Sequence, residues 1–145
     1  MSQNTQSTQN TQNTQPREFE DVHDKIYKVY PVKGKRLGTK QKYFVRMLAD
    51  LILFAYERGY EISLGDAYRD PRVFGIPGTK KSYSAANSLH KSRLAIDLNL
   101  FKDGEFLQNT SDHKELGLFW EAIGGTWGGR FGDGNHYSIE HNGKK

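Results

Sequence analysis

The chain contains no cysteine. That removes disulfides as a source of stability. It also removes the thiolate ligands that help close most structural zinc sites. No apolar run approaches the ~20 residues that a membrane-spanning helix needs. The first residues offer neither a basic nor an apolar leader region, so no secretory signal and no transmembrane segment are expected. Acidic residues are missing altogether from Lys25 to Arg46, while Lys28, Lys33, Lys35, Arg36, Lys40 and Lys42 fall in the same stretch. This run accounts for much of the net charge of +4. Its default reading is a solvated face. A basic nucleic-acid-binding protein is the rival, but no aromatic-basic motif supports it, and no nucleic-acid partner is expected.

What is present fits one domain of 145 residues with 35% hydrophobic and 12% aromatic residues. Ser2 to Gln15 contains only Ser, Thr, Asn and Gln. Such a segment cannot bury enough apolar surface to offset its ordering entropy, so residues 1–18 are expected to form a disordered polar tail. The folded part, 19–145, is expected to begin near Phe19 to Asp24.

Apolar residues at Phe44, Met47, Leu48, Leu51, Ile52 and Ala55 repeat at helical spacing and predict a helix from Lys40 to Arg58. Thr39 is its expected N-cap and Gly59 its stop. Glu61 to Tyr68 predicts a strand, and Asp70 to Leu89 a long loop. From Ala95 to Phe101 the residues alternate, with Ile96, Leu98 and Leu100 on one face and Asp97 and Asn99 on the other. Lys102-Asp103-Gly104 predicts a turn into a hairpin with Glu105 to Leu107. A second helix is expected from His113 to Ile123, capped by Asp112 and Glu115 and ended by Gly124-Gly125. A strand around His136 to Glu140 follows the glycine-rich stretch Trp127 to Gly134. These elements predict an α+β fold, a small antiparallel sheet with flanking helices.

Three side chains stand out: His90, Asp97 and His136. Two imidazoles and a carboxylate suit Zn²⁺, and three protein ligands leave its fourth position open, as in catalytic sites. For His90 and Asp97 to meet at one ion, Lys91 to Leu94 must turn, or His90 must reach from a neighbouring strand. On an extended strand His141 points away when His136 points in. His23, His113 and His141 are read as surface or hydrogen-bonded residues.

Asp133, three residues before His136, is placed to take a proton from a water. The roles of Asp97 and Asp133, ligand and base, are interchangeable by spacing alone. Arg69 can stabilise an oxyanion or pair with Asp66 or Asp70. Ser88 can hydrogen-bond a ligand or substrate. Trp127 and Tyr137 can wall a peptide groove or pack in the core.

These residues resemble the M15 family of zinc peptidases. The family pattern is Ser-x-His-(x)6-Asp followed later by Asp/Glu-x-x-His. Here it reads Ser88-Leu89-His90, Asp97 and Asp133-Gly134-Asn135-His136, with Tyr68-Arg69 as the upstream Tyr-Arg element. The segment from Leu116 to His136 is most similar to the phage and prophage endolysin branch. The resemblance implies a hedgehog/D-Ala-D-Ala peptidase-like fold with a zinc site on the sheet face. It implies zinc on His90, Asp97 and His136, Asp133 as the catalytic base, and Arg69 in contact with the substrate or transition state; Ser88, Trp127 and Tyr137 are candidate substrate contacts from the reading of the residues above.

The expected activity is cleavage of the peptidoglycan stem peptide between L-Ala and D-Glu. A D-Ala-D-Ala carboxypeptidase or dipeptidase and a non-catalytic zinc-bearing wall-binding module are the alternatives. The expected setting is a bacteriolytic monomer made in the host cytoplasm, released to the wall by a separate membrane-permeabilising protein.

Overall fold

The structure is a computed structural model, and it describes residues 27–145. The polar tail, the start of the folded part near Phe19 to Asp24, His23 and Lys25 lie outside the described residues. Helix α1 spans Leu37–Glu57. It begins two residues before the expected Thr39 cap. Arg36 takes the N-cap position without a side-chain hydrogen bond. The end is as expected. Gly59 has φ +82, and the Tyr60 and Gly59 amides donate to the Ala55 and Tyr56 carbonyls at 3.0 and 3.1 Å. That double bond pattern is the glycine-terminated stop that a positive φ permits. The buried stripe is Phe44, Met47, Leu51, Phe54 and Ala55, with Leu48 and Ile52 at its margin.

The sheet is antiparallel throughout and has the strand order β1-β2-β5-β4, with β3 also paired to β2. The strands are β1 Glu61–Leu64, β2 Ala95–Lys102, β3 Glu105–Leu107, β4 Thr126–Trp127 and β5 His136–Ser138. Strand β2 behaves as its alternation predicts. Ile96, Leu98 and Leu100 are buried, whereas Asp97 and Asn99 are half-buried on the other face. The β2–β3 turn places Asp103 and Gly104 at φ +51 and +79, the backbone that an Asp-Gly hairpin turn requires.

Strand β1 is shorter than expected. After Leu64 the pairing changes: the Gly65 amide donates to Asp97 O, and the Asp97 amide donates to Asp66 O. Two residues thus face one, as in a β-bulge, and the chain leaves the ladder towards Arg69. The loop that follows is also less irregular than expected. Helix α2, Pro71–Phe74, is a single turn capped by the Asp70 carboxylate.

Helix α3 spans Lys114–Ala122. Its expected capping box lies elsewhere. Asn109 and Asp112 form it around the preceding 3₁₀ turn, Thr110–His113. Glu115 instead meets Arg58 at 2.9 Å and Tyr60 at 3.1 Å. The two longer helices meet through aromatic rings: Phe54 stacks on Phe119 at 4.1 Å, and Phe44 meets Trp120 edge-on at 5.8 Å. With the aliphatic face of β2 they form one buried cluster. Each large side chain removed from water there contributes about 1.5–3 kcal/mol. The fold is α+β, and its helices leave the Asp97 face of β2 available for chemistry. No helix among the described residues is long and apolar enough to cross a membrane.

Candidate metal centre

Strand β2 supplies Asp97, and β5 sets His136 directly opposite it in the sheet register. His90 reaches the same point because the chain turns between them. Leu89–Ser92 is a 3₁₀ turn begun by Ser88, whose hydroxyl accepts the His90 amide at 3.3 Å. Arg93 then adopts a left-handed conformation, φ +55, and the Leu94 amide closes on Leu89 O at 3.0 Å. This is the turn that the sequence distance from His90 to Asp97 demands. The Arg93 guanidinium stacks on Tyr68 at 4.1 Å, adding a contact that supports the costly backbone.

The three side chains form a triangle of donors. His90 Nε2 lies 3.2 Å from His136 Nδ1 and 3.3 Å from Asp97 Oδ1, and His136 Nδ1 lies 3.1 Å from Asp97 Oδ1. Tetrahedral zinc with bonds of about 2.0–2.1 Å separates its ligand atoms by about 3.3 Å. The triangle therefore has the size of one face of a zinc tetrahedron. His90 Nδ1 lies 2.8 Å from the Ala67 carbonyl. A carbonyl can only accept, so that nitrogen donates a proton to it, and Nε2 is the nitrogen that faces the triangle. The residues fit the ion by donor type, spacing and tautomer.

Burial alone would raise the pKa of Asp97. Hydrogen bonding to His136 and His90 outweighs it and holds the carboxyl well below the usual range. Asp97 thus presents as a carboxylate, the form that ligates metal.

The triangle opens into a cleft of about 440 Å³ that is also lined by Arg69, Ser88 and Asp133. Arg69 is held from several sides. It pairs with Asp66 at 3.1 Å, reaches Asp97 at 3.9 Å, and donates to the Ser88 hydroxyl at 3.3 Å. Ser88 therefore both caps the His90 turn and steadies Arg69. The pairing of Arg69 with Asp66 is one of the two ion pairs that sequence allows; Asp70 is taken by Arg72.

Asp133 is exposed at the cleft edge. Its backbone is fixed: its amide donates to Gly128 O at 2.9 Å, and its carbonyl accepts the His136 amide at 3.2 Å. Among the described residues its carboxylate has no hydrogen-bond or ion-pair partner.

Trp127 and Tyr137 correct the groove-wall expectation. Both are buried in the core, with the Trp127 indole donating to Gly134 O at 2.8 Å and the Tyr137 hydroxyl 2.9 Å from His113 Nδ1. The glycines around them are packing requirements. A Cβ on Gly117 or Gly129 would collide with the Trp127 ring. At Gly128 a Cβ would meet Asp133 O and lie 2.8 Å from His136 Cβ. Gly128→Ala is therefore expected to displace both site residues and to cost about 1–3 kcal/mol. A lower denaturant midpoint together with weaker zinc retention would show it; wild-type values for both would refute it.

Three features of the site leave no signal in the sequence. The Ala67 carbonyl orients His90, and backbone atoms leave no sequence pattern. Lys91 is buried, and its ammonium donates to Thr79 O at 2.7 Å and Ala86 O at 3.2 Å, tying the long loop to the His90 turn. Tyr83 donates to Asp66 at 3.1 Å and lies under Arg69 at 5.2 Å. A lysine or tyrosine in a polar loop looks like a solvated residue until the fold shows what it touches.

Residues 82–139 match the profile of a family described as D-alanyl-D-alanine carboxypeptidase, within peptidase family M15. The match supports an M15 peptidase. The matched span contains Ser88, His90, Asp97, Asp133 and His136 and stops short of Arg69. M15 peptidases are generally zinc-dependent, in keeping with the donor triangle. No curated protein matches the chain.

Proposed function

We propose that this protein is a zinc metallopeptidase that cuts the peptidoglycan stem peptide between L-Ala and D-Glu. The observation that carries the reading is the donor triangle of His90, Asp97 and His136, with sides of 3.1 to 3.3 Å. Zinc held there supplies a Lewis acid for the scissile carbonyl and lowers the pKa of a bound water towards ~7. The unpartnered Asp133 carboxylate takes the water proton as general base and returns a proton to the leaving amine. Arg69, steadied by Asp66 and Ser88, stabilises the developing oxyanion or holds a substrate carboxylate. The choice of bond rests on the endolysin-like segment from Leu116 to His136. In this reading the chain acts on the cell wall as a bacteriolytic monomer of the phage endolysin type.

The family description favours a second reading, removal of a terminal D-Ala, with Arg69 on the substrate's free carboxylate. Two synthetic stem peptides separate the two. One ends in a free D-Ala-D-Ala, and the other has that end amidated. An endopeptidase releases a new D-Glu amino terminus from both, whereas a carboxypeptidase releases D-Ala from the first alone. Cleavage of neither by folded, zinc-loaded protein would overturn both readings.

A further inference from the structure

A second cleft lies beside the metal centre, and the sheet topology explains it. One edge of β2 is shared by two partners. Strand β3 pairs with Leu100 to Lys102, and β5 pairs with Ala95 to Asp97. Leu98 and Asn99 fall between them, and the Leu98 amide is satisfied by Asn135 O at 2.9 Å rather than by a strand partner. The gap is a cleft of about 270 Å³, and its lining includes Asn99, Phe106, Gln108, Thr110 and Asn135.

Asp133 lines both clefts. The two are also contiguous along β2, because Asp97 and Asn99 lie on the same face, one in each cleft. A chain crossing the donor triangle along this face therefore has a place to lie on each side of Asp133.

The two places differ in charge. The metal cleft contains Arg69. Among the described residues the second cleft is lined by no lysine or arginine, and Asp133 is the one acid in its lining. His113, in its lining, is buried, and burial lowers its pKa, which disfavours the charged ring. The remaining polar groups are amides and a hydroxyl, which hydrogen-bond neutral polar groups and supply no positive charge to pair with a carboxylate. Phe106 is about half exposed and adds an apolar face.

The proposed substrate is asymmetric in the same sense. On the acyl side of an L-Ala-D-Glu bond the groups are neutral: an amide-linked lactyl ether and a sugar. On the amine side D-Glu carries a free carboxylate. We infer that the cleft between β3 and β5 binds the neutral acyl side of the substrate, so that the chain runs from there across Asp133 into the Arg69 cleft. The inference rests on the peptidase reading above and gives that reading a direction. In this orientation Asp133 lies at the boundary that the leaving amine crosses.

Gln108 is exposed, and its side chain has no hydrogen-bond partner among the described residues, so replacing it leaves the fold and the zinc ligands alone. Gln108→Trp fills the cleft. The test compares kcat/KM of wild type and Gln108→Trp on three peptides. One begins at a free L-Ala, one carries N-acetylmuramoyl on that L-Ala, and one is free at L-Ala but extended on the D-Glu side. The expected result is a loss on the muramoyl peptide about tenfold or more greater than the loss on either of the other two, with zinc content and melting temperature unchanged. An equal loss on all three, a loss confined to the peptide extended on the D-Glu side, or no loss at all would overturn the inference. Wild-type protein that cuts none of the three overturns the peptidase reading itself, a result distinct from the others.

Discussion

Replacing Asp133 with Asn is expected to lower kcat by about 10²- to 10⁴-fold, the contribution of a positioned general base. Zinc content should stay at the wild-type level. His90, Asp97 and His136 already complete a triangle of zinc size without Asp133. The Asp133 backbone is held by Gly128 and His136, and Asn fits the same turn, so the substitution removes a charge and leaves the scaffold in place. The outcome also decides an ambiguity that the sequence leaves open, since either acid can be ligand or base by spacing. Loss of zinc from a folded Asp133→Asn protein would make Asp133 a ligand. Unchanged turnover would remove it from the chemistry.

His136→Ala should have the larger effect on the metal itself. Removing a residue that only supports a ligand costs 10- to 100-fold in affinity, and removing a ligand is expected to cost more than about 100-fold. Activity at limiting zinc should fall to background. Competition with a chelator of known affinity measures the loss directly. His141→Ala is the matched control. His141 lies beyond β5, its backbone bonded to Lys144 and its ring beside Asn142, away from the triangle. It should keep wild-type zinc affinity. Equal zinc affinity in His136→Ala and wild type would refute the proposed centre.

Periodicity was enough to find what periodicity controls. The alternation from Ala95 to Phe101 places Asp97 opposite the aliphatic core, and the register with β5 brings His136 to it. The 3-and-4 spacing from Phe44 to Ala55 finds α1, because one apolar face is what a helix on a sheet must have. Boundaries fared worse, for physical reasons. Thr39 has the chemistry of a cap, but the helix starts earlier, where Arg36 leaves it uncapped. The bulge of Gly65 and Asp66 against Asp97 ends β1 early and is set by backbone bonds that carry no residue pattern.

The burial of Trp127 and Tyr137 depends on neighbours distant in sequence. Gly117 lets the Trp127 ring approach α3, and His113 receives Tyr137. An aromatic residue between glycines is equally compatible with a groove and with a core until those neighbours are known. The second cleft was illegible for a related reason: it exists because two strands from different parts of the chain share one edge of β2.

The most direct test of the central claim is mass spectrometry of purified peptidoglycan digested by the zinc-loaded protein, alongside protein stripped with a chelator and then reloaded. The account predicts new D-Glu amino termini with zinc, none after stripping, and recovery on reloading. Wall material left uncut by folded, zinc-loaded protein, or cut equally well without the metal, would contradict it.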